Sequence, residues 1–269
     1  MLALMVLCLK AWKSKSLPGF LFTFPNFTLI SRCMNNFSIV IPCYNEESNI
    51  SHLIEEIKKN LLNLKSNYEI LLVDDASTDQ TLKKLKKLKE DNKNIIKIIA
   101  NNTNLGQSFS LIKGIKESSY NTIVTLDGDG QNNPKDIPLL LNKFFSDNSL
   151  FLVGGIRSKR KDKMLKIISS KIANYIRGFI LKDNCPDTGC SLKVFDKNIF
   201  LKFPEFKGIH RFLPALFSGY GKNTVFIVVD HRPRLYGNSN YGTIDRMFAG
   251  IKDMIKVLKI IKKFKNNRV

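Results

Sequence analysis

The first 150 residues alternate short β-branched apolar runs with longer amphipathic stretches, and this alternation restricts the fold more than any other feature. "FSIVIP" (37–42), "YEILLVDDAS" (68–77), "IIKIIA" (95–100) and "NTIVTLDGDG" (121–130) are short apolar runs flanked by Pro, Gly, Asp or Asn. They read as buried strands. Between them lie "NISHLIEEIKKNLLNL", with Ile50, Leu53, Ile54, Ile57, Leu61 and Leu64 on one helical stripe, and "STDQTLKKLKKLKE", with Ser77 or Thr78 as the expected N-cap. "NLGQSFSLIKGIKES" enters a third helix through Gly106, and Pro134 to Phe145 reads as a fourth. Strands alternating with helices predict a mainly parallel sheet with right-handed crossovers. Ligands of such sheets bind beyond the C-terminal strand ends. That rule gathers "PCYNE", "DDAS" and "DGDGQ" on one rim.

The second half is less regular. "FLVGGIR" (151–157), "SLKVF" (191–195) and "TVFIVVDHRPR" (224–234) are strand candidates. Segment 164–181 is amphipathic, Ile167, Ile168, Ile172 and Ile176 opposing Lys166, Lys171 and Arg177. The tail 244–269 sets Ile244, Met247, Ile251, Met254, Leu258 and Ile261 against Lys252, Lys256, Lys259 and Lys263. Such basic amphipathic helices either pack on their own domain or lie on an anionic membrane surface, and for the tail we expect membrane contact.

The 269 residues carry 43 Lys+Arg against 23 Asp+Glu, a net charge of +20. That excess points to an anionic partner such as nucleic acid, a nucleoside diphosphate or a membrane, although a lysine-rich background also produces it. A nucleic-acid-binding module would show basic patches interleaved with aromatics or a recognition motif, and neither occurs. Cys8, Cys33, Cys43, Cys185 and Cys190 are odd in number, lack a CxxC pair and have no histidine cluster, which argues against a disulfide framework or zinc site and fits a reducing compartment. No run of about 18 uninterrupted apolar residues is present, so no membrane-spanning helix is expected. The apolar opening "MLALMVLCLKAW" has its charges after the run and no clear cleavage site, unlike a signal peptide. Residues 1–33 are therefore expected to be a non-native or disordered leader with Met34 as the natural start, the rival being a short membrane-touching leader.

"VTLDGDGQNNP" (124–134) brings a strand to two carboxylates and an amide. In an extended segment Asp127 and Asp129 would point the same way. With Gln131 they suit a hard divalent cation that takes oxygen ligands and bridges phosphate oxygens.

"IVIPCYNEESNI", "LLVDDASTDQT", "NLGQSFSLIKGI", "TLDGDGQNNP", "GGIRSKRKD", "DTGCSLKVF" and "HRPRLYGNSNYG" follow one another between about Phe37 and Arg246. As an ordered set they resemble the motifs of family 2 glycosyltransferases, above all the polyprenyl-phosphate (dolichyl-phosphate) mannosyl- and glucosyltransferase group. The resemblance implies a GT-A fold over 34–243, a Rossmann-like mainly parallel sheet flanked by helices, with the amphipathic helix 244–269 appended. It implies a nucleotide-sugar donor, Mg²⁺ or Mn²⁺, and a polyprenyl phosphate acceptor at the inner face of the cytoplasmic membrane, in cell envelope biogenesis. Pro42, Tyr44, Glu46, Val73 and Asp75 fall where the family holds base and ribose. Asp127, Gly128 and Asp129 fall at the diphosphate, Asp127, Asp129 and Gln131 at the metal, and Arg157 and Arg234 at the diphosphate's basic partners. Asp129, Asp187 and Arg234 are the expected catalytic set, Asp187 lying near sugar and acceptor; His210 and Arg211 are candidates for the acceptor side.

One position departs from the pattern. Eukaryotic-type mannosyl synthases place Lys in a "GxSK" run where this chain has "GNSNY" with Asn240. An amide supplies no cation, so GDP-mannose is less secure as donor, UDP-sugars stay open, and His231 or Arg232 become substitute cations. No "QxxRW" of processive synthases occurs, consistent with a single inverting transfer. A phosphate acceptor needs no strong base, whereas a hydroxyl acceptor on lipid A or another envelope glycan would need a carboxylate, for which Asp187 is the candidate. A non-catalytic sugar-nucleotide sensor would not need the intact Asp127–Asp129–Gln131 set.

Overall fold

A computed structural model describes residues 36–158, 177–233 and 243–266. The leader, most of the amphipathic segment 164–181, and Arg234 and Asn240 lie outside the described residues.

The strands are β1 (Phe37–Cys43), β2 (Tyr68–Asp74), β3 (Ile96–Ala100), β4 (Thr122–Thr125), β5 (Leu150–Arg157), β6 (Lys193–Asp196) and β7 (Asn223–Val229). The helices are α1 (Ile50–Leu61), α2 (Thr81–Asp91), α3 (Gln107–Glu117), α4 (Ile137–Ser146), the short α5 (Lys197–Phe200), α6 (Ile209–Gly219) and α7 (Thr243–Asn266). All seven strands share one sheet in the order β3-β2-β1-β4-β6-β5-β7. β2–β1, β1–β4, β2–β3 and β5–β7 are parallel; β6 runs antiparallel to both β4 and β5. The expected mainly parallel sheet is present, with one reversed strand at its centre.

That reversal places the start of β6 beside the C-terminal ends of β4 and β5. Lys193 is in register with Thr125 on one side and Gly154 on the other. The rim therefore collects residues from both halves of the chain.

Because side chains alternate along a strand, the sheet has two apolar faces, and each is covered. Ile39, Ile41, Ile70 and Leu72 pack under Ile50, Leu53, Ile54 and Ile57 of α1 and Leu140 and Leu141 of α4. Val40, Leu71, Val73 and Ile123 pack under Leu111, Ile112 and Ile115 of α3 and Phe212, Leu213, Leu216 and Phe217 of α6. α3 sits close to the sheet because position 114 is glycine: a Cβ there would lie 2.5 Å from Val40 Cγ1 and 2.9 Å from Val73 Cγ2.

Two local expectations are corrected, the start of α2 and the extent of β4. α2 starts at Thr81 with Gln80 as N-cap, not at Ser77 or Thr78, because Ser77 and Thr78 hydrogen-bond across to Asn45 instead. β4 ends at Thr125, so "DGDGQ" is a loop beyond the strand and the carboxylates are not aligned by strand alternation. "IHRFLPALFSG" is a helix, α6, despite Pro214 in its interior; the buried face of Phe212, Leu213, Leu216 and Phe217 outweighs the missing N–H.

From Met254 onward, the apolar side of α7 is spent on its own domain. Val257 and Ile261 are buried, Met254, Leu258 and Phe264 pack with them, and Phe264 stacks on Tyr220 with ring centroids 3.6 Å apart. The expected apolar stripe exists, but α6 covers it where side chains are described. Lys252, Lys256, Lys259, Lys262, Lys263 and Lys265 remain exposed. Among the described residues no helix is long and apolar enough to cross a membrane.

Candidate active site

The rim loops brace one another. After β1, Asn45 N donates to Ser77 Oγ at 3.0 Å and Glu46 N to Thr81 Oγ1 at 2.8 Å, while Thr78 N donates to Asn45 Oδ1 at 2.9 Å. Asn45 and Ala76 both take left-handed backbone conformations, with φ of 55° and 58°, which turns the two loops toward each other. Tyr44 stands 40% exposed at this mouth, so its ring face is open to a planar ligand.

The other base-site candidates sit deeper. Val73 is wholly buried beneath α3, so only its backbone could meet a ligand. Asp75 is 3% exposed, and its carboxylate accepts from Asn101 Nδ2 at 2.8 Å, Leu105 N at 2.9 Å and Gly106 N at 2.8 Å. Those bonds tether the loop that leads into α3. Glu46 accepts from Asn49 Nδ2 at 2.7 Å.

Gly128 brings the carboxylate loop against the end of β1: a Cβ at this position would lie 3.2 Å from Pro42 O and 3.4 Å from Glu46 Cγ. A larger residue would push Asp127 and Asp129 off the rim. Asp127 N donates to Asn132 Oδ1 at 3.2 Å, and Asn132 Oδ1 also accepts from Ser191 Oγ at 2.6 Å. Asp127 Oδ1 accepts from Gln107 Nε2, the first residue of α3, at 2.6 Å. Asp129, nearly buried, accepts from Gln131 N at 3.1 Å. Gln131 spends its amide nitrogen on Arg232 O at 3.4 Å, so its amide oxygen is the atom left for a cation.

Burial, and then the negative charge of Asp129, push the Asp127 carboxyl up to about 6. Two acidic groups held this close are what a dication would relieve. Among the described residues no group of three or more His, Cys, Asp and Glu side chains forms a closed metal cage. Two carboxylates and an amide oxygen, with the remaining positions left to phosphate oxygens and water, suit Mg²⁺ or Mn²⁺.

Arg157 and Asp187 come together. Arg157 Nε and Nη2 donate to Asp187 Oδ2 and Oδ1, both at 2.7 Å, and Arg157 N adds a bond to Oδ2 at 3.1 Å. Gly189 N also donates to Asp187 Oδ1 at 3.1 Å. The loop before Asp187 is held by the buried Arg177–Asp183 pair, with Arg177 Nη2 donating to Cys185 O at 2.6 Å. The charge of Arg157 also bears on Asp127.

The substitute cation Arg232 is committed elsewhere: its guanidinium donates to Glu56 Oε1 at 2.8 Å and Asn133 Oδ1 at 2.7 Å. His231 pairs with Asn132 in a β-bridge. Gly208 N donates to Ser108 Oγ at 2.7 Å, and the Ser108 hydroxyl shares a hydrogen bond with His210 Nδ1 at 2.8 Å. His210 is held neutral, its pKa pushed down to about 3 by burial and then by Arg211 and Lys193. Arg211 pairs with Asp253 of α7 at 2.9 Å. Gln107, Asn132 and Ser191 were not singled out from the sequence; the signal for each was its place inside the motifs "NLGQSFSLIKGI", "TLDGDGQNNP" and "DTGCSLKVF".

The mainly parallel sheet, with a carboxylate loop beyond β4 and a braced mouth beyond β1 and β2, fits the GT-A fold that the sequence motifs implied. The family description for glycosyl transferase family 2 matches residues 38–203, and the chain belongs to that family. It is 35% identical over 224 residues to the dodecaprenyl-phosphate galacturonate synthase of Rhizobium johnstonii, covering 82% of this chain and 66% of that protein. It is 31% identical to the undecaprenyl-phosphate 4-deoxy-4-formamido-L-arabinose transferase of Proteus mirabilis, covering 77% of this chain and 63% of that one. The chain thus spans a little under two thirds of the length of these relatives. In fold it is similar to glucosyl-3-phosphoglycerate synthase from Mycobacterium tuberculosis, solved with Mn²⁺, UDP and glucosyl-3-phosphoglycerate: TM-score 0.61, 15% identity, 83% of this chain and 78% of that chain. The same enzyme with Mg²⁺ and UDP gives a TM-score of 0.58 at 16% identity, over 83% and 78% of the two chains.

Proposed function

We propose that this chain transfers a sugar from a UDP- or GDP-linked donor to a polyprenyl phosphate, with inversion, at the inner face of the cytoplasmic membrane. The observation that carries the choice of acceptor is the Arg157–Asp187 pair. A carboxylate whose two oxygens both accept from a guanidinium is held ionised and is a poor proton acceptor. A hydroxyl acceptor needs a base at this place; a phosphate arrives as its own nucleophile. The relatives named for polyprenyl-phosphate products support the same reading.

In this assignment Pro42, Tyr44, Glu46, Val73 and Asp75 shape the base and ribose end, with Tyr44 offering a stacking face and Asp75 fixing the loop at 101–106. Asp127, Asp129 and Gln131 hold Mg²⁺ or Mn²⁺, which when bound neutralises charge on the leaving diphosphate. Gly128 lets that loop reach the rim. Arg157 and Arg234 meet the diphosphate through planar forks that grip phosphate oxygens. Asp187 orients Arg157. Residues 34–243 form the catalytic domain, and 244–269 a basic helix whose exposed lysines face anionic lipid headgroups.

The test is transfer of label from a panel of UDP- and GDP-sugars to undecaprenyl phosphate with Mn²⁺, scored in the organic phase. Asp187→Asn separates the two acceptors. Loss of an orienting group raises the donor KM and leaves most of kcat, whereas loss of a general base lowers kcat by roughly 10²- to 10⁴-fold. The second result would assign the chain to a hydroxyl acceptor.

A further inference from the structure

Lys193 is the one basic residue of "DTGCSLKVF", and the reading above leaves it without a role. It is the first residue of the reversed strand β6, flanked by Thr125, two residues before Asp127, and by Gly154, three before Arg157. Its side chain is 3% exposed and hydrogen-bonds to Cys190 O. An ammonium placed this deep beneath a sheet rim is costly unless an anion shares the space. Its charge bears on Asp127, which it helps to keep ionised, and on His210, which it helps to keep neutral.

We propose that Lys193 is a buried positioning residue of the donor site, a fixed cation behind the carboxylate loop that disfavours metal alone and favours metal with a nucleoside diphosphate. The inference rests on the assignment of the donor site above. Before substrate enters, the charges of Lys193 and Arg157 already bear on Asp127, and a bare dication must displace part of that balance. When the glycosidic bond breaks, the diphosphate keeps the bonding electron pair and gains a negative charge. The acceptor phosphate loses one as its oxygen bonds to C1. A cation already fixed under the loop stabilises the gain without reorganising, and does so in low dielectric. It is a positive charge that Asn240 in "GNSNY" does not supply.

The role predicts two affinities moving in opposite directions. Lys193→Met keeps the apolar stem and removes the charge. In the full-length protein without nucleotide, Mn²⁺ measured by titration with electron paramagnetic detection should bind on the order of 10-fold more tightly, because a repelling cation is gone. In Mn²⁺-saturated protein, UDP or GDP measured by calorimetry should bind on the order of 10-fold more weakly. Lys193→Arg should keep both affinities. Lys193→Gln should repeat the Met pattern and serves if the Met variant does not fold. A merely structural lysine would weaken both or neither, and either outcome overturns the proposal while leaving the donor-site assignment standing. Wild-type protein that binds neither Mn²⁺ nor a nucleoside diphosphate would overturn that assignment, and the role of Lys193 with it.

Discussion

Asp127 and Asp129 are two residues apart in a loop that burial has partly dried, and the cost appears at Asp127, whose carboxyl is pushed up to about 6. The sign follows directly. A carboxyl with a raised pKa binds its proton more tightly in the folded chain, so the folded state loses stability from this group as pH rises from about 4 through about 6. In the proposed metal site the same proton would compete with the cation. Mn²⁺ affinity should therefore be highest above pH 7 and fall as pH drops through about 6, which titrations at several pH values would check. Asp129→Ala should abolish Mn²⁺ binding and transfer with an unchanged circular dichroism spectrum. A variant that still binds Mn²⁺ would remove Asp129 from the metal set. Gln107→Ala should weaken Mn²⁺ binding by less, on the order of a single charge-assisted hydrogen bond of about 1.5–3 kcal/mol, because it only steadies Asp127 Oδ1.

α3 and α7 show how elements hold the site. α3 carries Gln107 to Asp127 and Ser108 to His210, and it does so because Gly114 lets it lie close on β1 and β2. Gly114→Ala should destabilise the fold by about 1–3 kcal/mol in urea denaturation, since Val40 and Val73 cannot both yield. α7 is fastened to α6 by Ile261, by the Tyr220–Phe264 stack and by Arg211–Asp253. Ile261→Ala should cost about 2 kcal/mol and speed hydrogen exchange in α7 while β1 and β2 stay protected. The tail's helical periodicity was plain in the sequence, but periodicity cannot say whether a partner for an apolar stripe is lipid or protein. Here the aromatic and aliphatic face of α6 supplies it.

For the molecule as a whole, part of the +20 charge lies on α7: Lys252, Lys256, Lys259, Lys262, Lys263 and Lys265 are exposed on a helix where Met254, Val257, Leu258 and Ile261 pack against its own domain. Binding to vesicles should then be electrostatic rather than insertive. It should require anionic lipid and fade as salt is raised from about 0.1 M toward 1 M, where the Debye length shrinks to about 3 Å. Vesicle sedimentation of wild-type protein and of a Lys256→Glu, Lys259→Glu variant would check this, and binding that survives high salt would point to apolar insertion instead.

The strand–helix alternation and the position of the acidic loops relative to strand ends could be read directly, because side-chain period and turn chemistry are local properties of the chain. They sufficed for a mainly parallel sheet with Tyr44, Asp75, Asp127, Asp129 and Gln131 at its rim. Pairing across long separations could not be read. Nothing near Lys193 announces that β6 reverses and slots between β4 and β5, nothing near Asp187 that its oxygens are occupied by Arg157, and nothing near Gln107 that it reaches Asp127. Those contacts follow from packing two apolar faces at once. The chain's local pattern settles which residues reach the rim, and the closing of the sheet settles which of them touch.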